Sequence, residues 1–326
     1  MALKFLFLAI AFPLVQSQGE FTTHCAPLTI ERSDPIVNPG TAGGHTHTVI
    51  GGTGFSRQMS PSAAPNSINT TCSIEMDHSN YWQPLLYHIR SDGQFEMIPF
   101  EGSVAYYLQR TRDYSPNKTS CDPSVYPQAP PEGLRMVTGN PFLRAYNDTP
   151  DMRAQSHMCL KESDPSSYTQ ALPTEPCLKL RAQTFFPSCW DGENLDSDDH
   201  KSHMAFPAIG DYNTGVCPES HPVAILSIFL KFFYDTSGFP DWQNWIYAMG
   251  DLTGYGLHGD FVNGWKDLDA LANAFETCSG GDLSLHSPGC SITGGTIRDV
   301  DVRLDGPLAK LPGKNEISGD VADRVN

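Results

Sequence analysis

Four segments of this chain gather histidines and carboxylates beside amides and aromatic rings. In residues 43–52, GGHTHTVIGG, His45 and His47 stand two apart. Side chains alternate across an extended strand, so both imidazoles face one side and can serve a single metal ion or substrate. In residues 77–87, DHSNYWQPLLY, Asp77, Asn80 and Tyr81 offer a carboxylate, an amide and a phenol. Trp82 and Tyr87 add flat apolar faces of the kind on which sugar rings stack, and of the kind that fill cores. Residues 189–203, CWDGENLDSDDHKSH, bring Trp190, Asp191 and Lys201 together with His200 and His203, which lie one turn apart if helical. The carboxylates at alternate positions there also suit calcium, although the EF-hand spacing is not met. Residues 250–265, GDLTGYGLHGDFVNGW, hold Tyr255, His258, Asp260, Asn263 and Trp265. His258 and Asp260 share a face of an extended chain, where a carboxylate can hold an imidazole tautomer and raise its basicity.

These residue types support acid–base chemistry by His45, His47, Asp77, Tyr81, Asp191, His200, His203, Tyr255, His258 and Asp260. Asn80, Trp82, Tyr87, Trp190, Lys201, Asn263 and Trp265 would then contact substrate. A hydrolase would need two carboxylates about 5–10 Å apart, drawn from Asp77, Asp191 and Asp260; a lyase would use a His or Tyr pair. The alternative is a divalent-metal site, zinc or calcium, with His45, His47, His200, His203, His258 and Asp260 as the ligand pool. A buried structural pair would read the same in sequence. There is no GxSxG elbow, HExxH or phosphate-binding loop.

The elements that must position these groups are mostly strands. Short β-rich runs recur at 47–50, 81–89, 94–99, 103–108, 134–137, 178–186 and 224–234, separated by clusters of Gly, Pro, Asn, Asp and Ser. One helix is expected over 267–277, where Leu268, Leu271, Ala272 and Phe275 recur at spacings of three and four. Stretches 114–133 and 147–176 are read as irregular, disulfide-tethered surface loops. The expected architecture is a single mainly β domain, a sandwich or jelly roll with long stapled loops and one or two short helices, spanning 18–293. A polar, loosely attached C-terminal tail follows at 294–326.

The compartment is written at the N-terminus. Lys4, the apolar run from Phe5 to Val15 and the small Ser17 form a signal peptide over 1–17, too short to anchor in a bilayer. The chain of 326 residues then carries nine cysteines, which an oxidising compartment would pair with one left over, and sequons at Asn69, Asn117 and Asn147. A formal net charge of −16 disfavours nucleic acid. The reading is a secreted, monomeric, extracellular protein, free of the membrane after signal cleavage, whose partner is a polysaccharide or cell-wall glycan.

Five motifs taken together resemble a fungal secreted family known as the domain of unknown function number nineteen-ninety-six. They are HxHxVxGGxxF at 45–55, DxSNYWxPxLY at 77–87, SCWDGxNLDSxDHKSH at 188–203, CPxSHPV at 217–223 and GYGxHGDFxNGW at 254–265. The resemblance covers roughly residues 35–278 and implies a secreted fungal protein; such proteins commonly carry a second Cys near the Cys72 position, which this chain lacks. The family name brings no mechanism. Three readings therefore stand: a glycan-active hydrolase or lyase, which is favoured; a His-rich metalloprotein; and a non-catalytic wall- or glycan-binding protein.

Overall fold

A computed structural model describes residues 19–116, 126–163, 165–278, 289–292, 294–295, 297, 302, 304 and 306–324. Two antiparallel sheets dominate. One has six strands in the order Glu20–Cys25, Phe100–Leu108, Ser227–Asp235, Lys179–Phe185, Gln155–Leu160, Ser167–Thr169. The other has five, in the order Pro27–Glu31, His47–Gly51, Asn80–Pro84, His258–Val262, Arg135–Gly139. Alternation sends Ile50, Tyr81, Met136 and Phe261 from the five-stranded sheet into one core with Ala105, Tyr107, Leu180, Ala182, Leu230 and Phe232 from the six-stranded sheet. Gln83 crosses that interface to Thr184 at 3.0 Å. The opposite face of the five-stranded sheet presents Val49, Trp82 and Val262, which pack under Ile36, Phe55, Met59 and Ala64 of the connecting loops. The architecture is mainly β and consistent with the expected sandwich.

Three expectations need adjustment. The run 81–89 is two strands in different sheets, because Pro84 has no N–H for the ladder; after Leu85 the chain leaves for a small sheet with Phe95–Met97 and Trp245–Tyr247. The helix forms at Leu268–Thr277, with Asp267 accepting from the Ala270 amide at 2.8 Å, but Ala274 is buried where Ala272 was expected. Most consequentially, 147–176 is not one loop: it contains a short helix, Pro150–Arg153, and strands Gln155–Leu160 and Ser167–Thr169. Its first strand is hidden in sequence because buried positions are polar. Gln155, Ser156 and His157 are all interior, bonded respectively to Thr138, to Gln183, and to Tyr247 and the Gln170 carbonyl.

His157 lends itself to a pH experiment. Burial depresses its pKa to about 3, so the folded state excludes a proton that the unfolded chain accepts near 6.5. Its contribution is full above 6.5 and is lost as pH falls toward 3. In urea titrations from pH 6.5 to 4.5, His157→Asn should flatten the decline in stability by about 1 kcal/mol per pH unit relative to the native chain. Parallel slopes would show that the imidazole titrates in the fold.

Four disulfides join Cys25–Cys72, Cys159–Cys177, Cys189–Cys217 and Cys278–Cys290. Cys72 thus finds a distant partner without a neighbouring cysteine, and Cys121 lies outside the described residues, as do the signal segment, Asn117 and residues 117–125 of the expected loop at 114–133. Among the described residues no helix is long and apolar enough to cross a membrane. The stretch 294–326 is polar, yet its described C-terminal part is tied down: Ser318 bridges to Asp251, and the buried Arg324 donates to the carbonyls of Leu252, Pro173, Trp242 and Trp245.

Candidate metal centre

Pairing in the five-stranded sheet explains why three distant histidines meet. His47 opens its strand opposite Pro84, and Trp82 lies opposite both Val49 and Asp260. Two residues back along its strand from Asp260, His258 therefore flanks Pro84 from the other side. Directly opposed residues share a face, so the two imidazoles lean toward each other across the compact proline, with ring centroids 5.8 Å apart. His45, two residues before His47, completes the group: its ring centroid is 4.3 Å from that of His47, and its Nε2 is 3.0 Å from His258 Nε2. Gly139 permits the closeness on the far side. It has φ +81°, and a Cβ there would lie 2.4 Å from the Leu257 carbonyl oxygen.

The hydrogen bonds behind the rings decide which nitrogens face inward. His47 Nδ1 donates to the Ser33 carbonyl at 3.1 Å, and His258 Nδ1 donates to the Gly256 carbonyl at 2.9 Å. A carbonyl oxygen only accepts, so the proton of each neutral ring sits on Nδ1 and the Nε2 lone pair is bare. Both rings are neutral, since burial above all lowers His47 to about 3 and His258 to about 4. Burial likewise holds His45 well below its ordinary value, helped by the other two rings and by Arg32 and Arg144. His47 Nε2 has no partner although the residue is only 1% exposed. One nitrogen from each of the three rings lies within 4.8 Å of the others. Tetrahedral bonds of about 2.1 Å place ligand nitrogens roughly 3.4 Å apart, so small ring rotations bring all three onto one ion.

Two buried carboxyls lie near the triad residues along the chain, Asp34 next to Ser33 and Asp260 two residues after His258. Asp260, on the His258 strand, has an unpartnered buried oxygen and a pKa raised well above the ordinary value by burial and then by Asp34, against the opposing pull of Lys201. Asp34 accepts from the amides of Ile36 and Val37 and is also raised by burial. Lys201 is tethered to the Gly139 carbonyl and to Asp151. Asp34, Arg32 and Arg144 were not singled out by sequence reasoning; they lie outside its motifs, and nothing local marks them.

The other candidates do not join this centre. Asp77 is sealed in a chain of bonds, accepting from Tyr81 at 2.9 Å, with Tyr81 and Tyr107 oxygens 2.5 Å apart and Trp265 donating to Tyr107 at 2.7 Å. Burial raises Asp77 to about 6, but the group is wholly interior and ties one sheet to the other. Asn80 donates to the Gly52 carbonyl, and Asn263 to those of Pro130 and Pro131, so both amides brace loops. Trp82, Tyr87 and Trp265 are buried, and no face of theirs is open to a sugar ring. Tyr255 is also buried, with its hydroxyl on the Asp323 carbonyl.

The acidic loop orders itself rather than an ion. Asp191 accepts from the amides of Glu193 and Asn194 and from the Asn194 side chain, and Trp190 donates to the Asn194 carbonyl. Asp199 accepts from the Ser197 hydroxyl and from the amides of Lys201 and Ser202. His200 pairs with Asp196, while His203 bonds Ser197 and the Arg135 carbonyl, so the two rings face different partners. Among the described residues the acidic loop gathers no cluster of three ligand groups, and Asp77, Asp191 and Asp260 have different hydrogen-bond surroundings.

A contact from the C-terminal segment reaches the rim. Asn315 donates to the Gly44 carbonyl at 2.9 Å, one residue before His45, and Arg144 Nε donates to Ser318 at 2.7 Å. Asn315→Ala should weaken metal binding by about tenfold through a looser His45 loop, as loss of a supporting shell does. Competition with a chromogenic chelator reads that change, and unaltered affinity would make the contact incidental.

The fold and centre define a disulfide-stapled β-sandwich with three neutral imidazoles converging at one end of a sheet. A family model described as a domain of unknown function (DUF1996) matches residues 34–265, and the chain belongs to that family. His45, His47, His258, Asp34 and Asp260 all fall within the match. No curated protein and no solved structure matches the chain.

Proposed function

We infer that the protein is an exported metalloprotein holding one first-row transition-metal ion, zinc above all, on His45, His47 and His258. One observation carries this reading: the buried lone pair of His47 Nε2, without a partner, faces two further imidazoles. Leaving such an atom unpaired is costly, and backbone carbonyls behind His47 and His258 are the usual supports of metal-ligating histidines. Imidazole nitrogen suits zinc or copper and not calcium. Three protein ligands leave a fourth position, and His45 is the least enclosed of the three residues, which suits a reactive site better than a closed structural one. Export is supported by the N-terminal segment and by four disulfides, which persist in oxidising compartments.

The test is elemental analysis of protein purified without chelators, followed by zinc and copper titration of chelator-treated protein. One equivalent per chain is expected. Failure to take up any stoichiometric metal would end this reading.

A further inference from the structure

We propose that a second site, a cleft walled by tyrosines, binds a neutral pyranose unit of a glycan. The cleft holds about 270 Å³ and is lined by Tyr146, Tyr168, Thr169, Gln170, Ala171, Tyr255 and Arg324. Aromatic side chains in this fold are overwhelmingly interior, but Tyr146 is 39% exposed and Tyr168 49% exposed. Both rings border the same concavity, and the Tyr146 ring lies 6.3 Å from that of Tyr255 at 53°. The two half-exposed rings, Tyr146 and Tyr168, suit the C–H faces of a sugar, while the Tyr146 and Thr169 oxygens, whose protons go to Asp148 and to the Ala171 carbonyl, keep lone pairs for its hydroxyls.

The charge of the walls selects a neutral ligand. Arg324 is the cation among the lining residues, and its guanidinium nitrogens are directed to four backbone carbonyls. At the mouth, Tyr146 donates to Asp148, whose carboxylate is paired with Arg153. An acidic sugar would meet no uncommitted cation there. The cleft is also close to the histidine centre along the chain: Tyr255 precedes His258 by three residues, and a turn from Gly254 to Leu257 joins them. Leu143 packs against Tyr255 from the same loop that carries Arg144, the neighbour of His45 and His258.

Isothermal titration with cellohexaose, laminarihexaose, xylohexaose and chitohexaose, and with hexagalacturonate as the acidic arm, tests the assignment. At least one neutral hexasaccharide should bind, and Tyr146→Ala and Tyr168→Ala should each weaken it about tenfold. Phe142→Ala, 85% exposed and outside the cleft, should bind as the native chain does. Thermal midpoints of the variants check folding, and zinc content of the same preparations keeps this outcome separate from that of the metal centre. The proposal is overturned if no neutral hexasaccharide binds, if both tyrosine variants bind undiminished, or if hexagalacturonate is preferred.

Discussion

His47→Ala should lower zinc affinity by at least about a hundredfold, exceeding the loss that follows removal of a mere supporting group. His258→Ala should match it, because each ring contributes an Nε2 already stripped of its proton by a backbone carbonyl behind it. His203→Ala is the contrast. That ring is also buried, but both nitrogens are committed, to Ser197 and to the Arg135 carbonyl, so its loss should cost stability and leave metal stoichiometry intact. The same ion should stabilise the fold. At a free concentration 1,000 times Kd, binding to the native state adds about 4 kcal/mol, which for a chain of this size raises the thermal midpoint by several degrees. Chelation should reverse that rise in the native protein and have no effect on His47→Ala. Equal zinc affinity in native, His47→Ala and His258→Ala proteins would place any bound metal elsewhere.

Asp251→Ala should be the most damaging single change to the loop that delivers His258. The carboxylate is fully buried and accepts from the Thr253 amide at 2.7 Å, the Thr253 hydroxyl at 2.6 Å, and the amides of Gly254 and Gly256 at 3.0 and 2.8 Å. Arg144 lies 3.6 Å away. Removing the acceptor strands several buried donors and a guanidinium, which costs about 3–5 kcal/mol for a broken buried ion pair. Asp251→Asn keeps one acceptor oxygen and should lose less. Because the Gly256 carbonyl holds the His258 ring, metal affinity should fall as well, by about ten- to a hundredfold. Urea unfolding of chelator-treated protein isolates the folding term, and zinc titration of the folded fraction isolates the site. A loss of stability under about 1 kcal/mol would mean that these bonds exchange for water at little cost.

Several of these features were legible in the chain. The period-two logic that put His258 beside Asp260 holds because strand alternation is a property of neighbouring residues, whereas His45 lies in a bend before the strand that starts at His47 and meets it by the turn of the chain. The helix expected over 267–277 was legible for the same reason, as were the strands expected at 47–50 and 178–186. Polar interior strands were not, since Gln155, Ser156 and His157 mimic a solvated loop until their partners are known. Trp82, Tyr87 and Trp265 were ambiguous for a related reason: a ring that would stack on a ligand and a ring that fills a core have the same sequence appearance.

By itself the sequence determined the strand-rich class, the surplus cysteine, the leader-like N-terminus and two separate pairs of polar groups standing two residues apart. Tertiary structure alone decided that the two pairs flank one proline, which brings His45 to His258 across 213 positions, and that His200, His203 and Asp77 do not join them. The reason is physical: a strand's periodicity is imposed by its own backbone. Which strands lie side by side is imposed by burial and register summed over the whole sandwich, to which no short segment has access.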